Sequence, residues 1–170
     1  MGLLNWLRGQ PEDVDKLIER LASGSDSQRQ DAVEALGRVG QAALLPLARA
    51  LIMLGDENAG WVGKALRQMG DVGLTTLRKT LEHPGYETRR TTLKALESFE
   101  ADAAGAVSDL ARTLEDVDPE VRWRSARVLG LIGPAARPAL NALEKCRRDR
   151  DQKMANEVNS AILAIRGQST

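Results

Sequence analysis

The amino-acid sequence predicts an all-α protein: a right-handed α-solenoid of about five helical pairs with a helical cap at its N-terminus. Three observations predict it. The chain is 42% hydrophobic but only 3% aromatic, and an apolar share drawn mostly from Ala, Leu and Val suits closely packed helices better than sheets. A small-plus-aliphatic pair recurs at Ala35-Leu36, Ala65-Leu66, Ala95-Leu96, Val128-Leu129 and Ile162-Leu163, with Leu spacings of 30, 30, 33 and 34 residues. Four residues after these Leu stand Gly40, Gly70, Glu100, Gly133 and Gly167. Self-similarity at such a period marks a stack of units, each burying its apolar side against the next.

Each unit reads as two helices. In the first, the Leu closes the buried face, and the Gly ends the helix by taking a left-handed conformation that is costly for residues with a Cβ. Asp26, Asp56 and Asp118 lie at nearly equal distances before the Leu and are placed to accept from free amides at the helix start. Pro119 fits the first helical position, where no donor is missed. The second helices carry apolar residues at helical spacing: Leu44, Leu47 and Leu51; Leu74, Leu77 and Leu81; Val107, Leu110 and Leu114; Leu140 and Leu143. The third unit has about three extra residues around Ala103-Ala104-Gly105 and lacks the Gly, which predicts a longer or irregular turn. Pro46 and Pro138 occupy the same point of two second helices, where proline is tolerated only if the helix is beginning or bent.

The chain is thus expected to be one domain over residues 1–170. Cap helices cover 1–23, repeats run over about 25–54, 56–82, 86–116 and 118–146, and a closing helix spans about 151–166. Val14 to Leu21 reads as a further second helix, with Leu3, Leu4, Trp6 and Leu7 covering its exposed end. Met154, Val158, Ile162 and Ile165 form one apolar stripe on the closing helix.

Asp118-Pro119-Glu120-Val121-Arg122, followed by Ser125-Ala126 and Val128-Leu129-Gly130-Leu131-Ile132-Gly133-Pro134, resembles a bacterial HEAT repeat of the kind also called phycobilisome-lyase-like. The likeness covers nearly the whole chain. It is clear from Asp26 to Leu51, recognisable from Asp56 to Leu81, and degenerate around Leu96 and Leu163. The resemblance implies that Asp118 and Arg122 belong to the structural framework. Arg29 and Arg89 fall in the Arg122 slot, from which Ala59 and Asn156 depart.

Composition narrows the function classes. The 24 basic and 24 acidic side chains cancel, with a pI near 6.6, which removes the global positive field of a general nucleic-acid binder. The lone Cys146 excludes an internal disulfide and fits a reducing, cytoplasmic setting. The N-terminus becomes charged too soon for a membrane span or signal peptide. Gly2 matches a myristoylation motif poorly, because Trp6 stands where Ser or Thr is wanted.

No catalytic residue, cofactor site or metal site is expected. The only His, His83, sits in the turn Glu82-His83-Pro84-Gly85, and His83 with Cys146 cannot supply a zinc site of about four ligands. The acidic run Glu115 to Glu120 lacks the central Gly and closing Glu of an EF-hand. The glycines serve as helix stops rather than a phosphate loop. Glu34, Glu97 and Glu144 read as ordinary surface carboxylates.

Two features stand above this background. Two residues before each closing Leu of the second helices come Arg49, Lys79, Arg112 and then Asn141, with Glu19 in the same slot of the cap. Stacking would set the three cations in a row on the concave face, to bind an acidic peptide or phosphates, unless they merely cover the helix surface. Trp61 and Trp123 occupy outward slots of the first helices. They would be convex anchors for another chain, or else pack sideways against the next repeat.

The expected function is a non-catalytic scaffold that binds an acidic peptide or protein on the concave face, acting as a monomer or weak homodimer. The resemblance adds a chromophore-handling bilin lyase as an alternative. HEAT-like nucleic-acid binding is the other, and the neutral net charge argues against it.

Overall fold

The structure, a computed structural model, describes residues 13–167. Leu3, Leu4, Trp6 and Leu7, expected to cap the first helix, lie outside them. The described chain is helical throughout: α1 (Val14–Ser23), α2 (Asp26–Val39), α3 (Leu44–Met53), α4 (Gly55–Arg67), α5 (Asp71–Thr80), α6 (Tyr86–Leu96), α7 (Val107–Thr113), α8 (Pro119–Ile132), α9 (Leu140–Cys146) and α10 (Gln152–Arg166). Four complete pairs, α2 with α3 through α8 with α9, are flanked by α1 and α10 as single helices.

The glycine stops behave as a set. Gly40, Gly70 and Gly133 have φ of 68°, 59° and 68° with ψ of −132°, −132° and −140°. This is an extended mirror-image region that only glycine enters freely, rather than the left-handed helical one expected. Gly167 alone takes the left-handed cap, at φ 70° and ψ 27°. Glu100 holds the same turn as its glycine counterparts, at φ 50° and ψ −127°, within a ten-residue 3-10 segment from Glu97 to Ala106. The extra residues therefore lengthen the connection without changing the turn at Glu100. Pro46 lies in the first turn of α3 and Pro138 in the 3-10 segment before α9, so both sit where a helix is beginning.

The helix starts differ from expectation at two of three positions. Ser25, not Asp26, caps α2: its hydroxyl accepts from the Gln28 amide while Gln28 accepts from the Ser25 amide at 2.9 Å. No side chain caps α4, because Leu54 alone joins it to α3, and Asp56 falls inside the first turn. Asp118 does cap α8, accepting from the Val121 amide at 3.0 Å. Asp151 caps α10 in the same way.

One continuous core runs through the stack. Leu36, Leu66, Leu96 and Leu129 are fully buried, but in α10 it is Ile162, at 2% exposure, that takes this place while Leu163 is half-buried. The last interval is therefore 33 residues rather than 34, and Ala155 rather than Asn156 occupies the arginine slot. Small residues let the first helices touch. A Cβ on Gly63 would collide with the Ala95 backbone of α6, and Gly130 lies against Ala161 of α10. Contact is most extensive between α8 and α10 and between α4 and α6, while the second helices meet one another sparsely.

The arginine slot fastens the linkers. Arg89 donates to the His83 and Pro84 carbonyls at 2.9 and 2.8 Å and to both Asp116 oxygens at 2.7 Å. Arg122 donates to the Asp116 carbonyl at 3.1 Å and comes within 3.8 Å of Asp149. Each thus ties the linker before its helix pair to the linker after that pair. Arg29 donates to the Ala22 carbonyl at 3.2 Å, but the short α3–α4 join offers no following acid, and its Nε is buried without a partner.

The stretch Asp26–Met53 is apolar and long enough by composition to cross a membrane. Gly40 breaks it into helices of 14 and 10 residues, roughly 21 and 15 Å long, each short of a hydrocarbon core about 30 Å thick.

Candidate interaction surfaces

The second helices place Arg49, Lys79, Arg112 and Asn141 on the surface, all exposed. The second-helix row that carries them packs more sparsely than the first-helix row. The row is also uneven. Arg112 is drawn to Asp109 and lies 3.7 Å from Glu82, whereas Arg49 and Lys79 form no ion pair among the described residues.

These two free cations flank a groove of about 510 Å³ between α3 and α5, whose apolar lining includes Leu44, Leu45, Ala48 and Ile52. Leu45 is 62% exposed and Ile52 53%, so the groove offers unpaired positive charge beside uncovered aliphatic surface. His83, at the groove's end, accepts from the Gly85 amide through Nδ1 and serves its turn.

The first helices carry Trp61 and Trp123. Both rings are half-buried and capped by cations. Lys64 Nζ lies 3.9 Å from the Trp61 ring, and Lys153 Nζ of α10 lies 3.4 Å from that of Trp123. Lys153 thus covers Trp123 from the next unit, while Trp61 lies under Lys64 of its own helix and within 5.9 Å of the Arg29 guanidinium of α2.

Around them runs a network of ion pairs that the sequence reading missed. Arg90 grips Asp118, with Nε–Oδ1 at 2.8 Å, and reaches Glu120 at 3.2 Å. Arg124, 7% exposed, donates to Glu120 at 2.7 Å and, across α6, to Asp56 of α4 at 2.8 Å. The Arg90 guanidinium holds the Asp118 carboxyl below its ordinary range against the opposing effect of burial. Burial lowers the affinity of Arg124 for its proton, yet the bonds to Asp56 and Glu120 outweigh it and raise its pKa. A cleft of about 380 Å³ opens beside this network, between the starts of α4, α6 and α8. No periodic signal marks these partners, because they belong to different repeats and stand up to 68 residues apart.

Among the described residues no three His, Cys, Asp or Glu side chains gather as metal ligands would. Burial first, then Asp149 and Glu115, push the Cys146 thiol up, which disfavours the nucleophilic thiolate. Glu97 is taken by Lys94 and Arg127, and Glu144 by Arg147 and Arg166.

A family model described as HEAT repeats matches residues 74–162, more than half of the chain. The chain belongs to the HEAT-repeat family. Solved structures share the fold of this HEAT-repeat protein at low identity. One is an engineered protein, 21% identical with a TM-score of 0.59, the match covering 91% of this chain and 79% of that one. A designed armadillo repeat protein in complex with the peptide (KR)4 is 19% identical, with a TM-score of 0.57 and coverage of 92% and 87%. Computationally designed armadillo repeat proteins for modular peptide recognition match at 20% identity and a TM-score of 0.57, covering 92% and 84%. No curated protein matches the HEAT-repeat chain.

Proposed function

We propose that this HEAT-repeat protein is a non-catalytic binding module that takes an acidic protein segment with aliphatic side chains in the groove between α3 and α5. One observation carries the reading: of the three cations in the predicted row, Arg49 and Lys79 form no ion pair among the described residues, and they stand over exposed apolar surface. Aliphatic side chains would supply the buried area, and carboxylates beside them would fix register against the two cations. Designed armadillo repeat proteins of similar fold recognise peptides, which supports a repeat surface of this kind as a peptide site. The single, half-buried thiol is in keeping with a cytoplasmic setting.

Fluorescence anisotropy with labelled peptides of Asp, Glu, Leu and Ile tests the proposal. Reversing both charges, as R49E with K79E, should weaken binding about tenfold, since each rim pair contributes up to about 1 kcal/mol. Equal affinity in the double variant would reject the groove. Binding to nucleic acid through the same two cations would instead show a log-log salt slope of roughly −1.8 with duplex DNA. The bilin-lyase alternative rests on the resemblance alone.

A further inference from the structure

We propose that the segment bound by this protein is bipolar: its acidic part lies along Arg49 and Lys79, and its basic part passes over Ile52 into the cleft at the starts of α4, α6 and α8. This rests on the groove reading above and extends it.

Continuity is the first observation. Ile52 lines both the groove and the cleft, and Met53, which lines the cleft, is 81% exposed. The passage is open here because of the shortest join in the stack. Later second helices end in linkers at residues 81–85, 114–118 and 147–151, and Arg89 and Arg122 fasten these linkers down. Between α3 and α4 stands Leu54 alone, and the arginine slot of α4 holds Ala59. No loop therefore separates the second-helix face from the first-helix starts at this point.

Charge is the second observation. The groove offers two cations that pair with nothing among the described residues, against the one carboxylate of Glu82, which stands 3.7 Å from Arg112, whereas the cleft is rimmed by Asp56, Glu87 and Glu120 against Arg90 and Arg124. Arg90 is committed to Asp118, so the cleft carries an excess of carboxylate. Glu87 is 72% exposed and comes no nearer to Arg90 than 4.0 Å, which leaves it the carboxylate best placed to meet an incoming cation. Opposite signs at the two ends of one apolar path select a ligand with the opposite polarity. The path follows α3 from Leu45 to Met53, about 12 Å of helix, and crosses a cleft about one helix wide. A segment of roughly six to eight extended residues would span it.

Two labelled octapeptides with the same aliphatic centre test this, one acidic at one end and basic at the other, one acidic at both, each made in both chain directions. Anisotropy is read with the wild-type chain, with R49E/K79E and with E87K, and circular dichroism melting verifies the fold of each variant. The wild type should bind the bipolar peptide at least about fivefold more tightly than the acidic one. E87K should erase that preference while leaving the acidic peptide bound no more weakly, and E87Q should reduce it in part. An acidic peptide that binds as well as the bipolar one, or a preference that survives E87K, overturns the bipolar ligand and leaves the groove standing. Unchanged binding of both peptides by R49E/K79E overturns the groove itself.

Discussion

Glu100 shows what a repeat tolerates when one residue departs from its rule. At φ 50° and ψ −127° it occupies the turn that Gly40, Gly70 and Gly133 make at equivalent positions. A side chain there stores strain on the order of 1 kcal/mol or more, and its ion pair with Arg67, at 3.9 Å and largely exposed, offsets little of it. E100G should therefore stabilise the protein by about 1 kcal/mol, raising the melting temperature by roughly 2–4 °C. Thermal denaturation followed by circular dichroism measures it, and a lower melting temperature would show that Glu100 is not strained.

At the scale of the element, the start of α8 concentrates three functions in one carboxylate. Asp118 caps the helix through the Val121 amide, receives Arg90 from α6, and so joins two successive first helices. Because Arg90 depresses its pKa in the folded chain, the stabilisation is fully present above the unfolded-state value of about 3.9. It is lost as pH falls from there through the lower folded value. D118N keeps some capping but no charge, so it should be less stable than wild type near neutrality, with the gap closing below about pH 4. Urea denaturation across this range checks it; a gap independent of pH would assign the loss to capping alone.

For the whole molecule, stacking makes stability a sum of nearest-neighbour terms, with the ends least supported. The inner helices α4, α6 and α8 each have first-helix neighbours on both sides, and Arg124 ties α8 to α4 across α6. By contrast, α10 has a first-helix neighbour on one side only among the described residues, and Leu163 is half-buried. Amide hydrogen exchange should thus run slowest in α4, α6 and α8 and faster in α1 and α10. Uniform protection along the chain would mean that the units do not open separately.

The sequence by itself determined the repeat, the helix pairs and their core, because hydrophobic period and glycine punctuation are local properties that each unit states again. Its errors were local as well. Ser25 competes with Asp26 for one cap, and Ile162 precedes Leu163 by a single position, choices that only packing resolves. Tertiary structure alone decided how closely neighbouring first helices approach, as Gly63 meets the Ala95 backbone and Gly130 meets Ala161. It also decided which cations are free. Arg112 and Arg49 hold the same slot, yet Asp109 and Glu82 neutralise one and nothing among the described residues pairs with the other. Ion pairing joins residues that are far apart in sequence, and a repeat pattern carries no record of it.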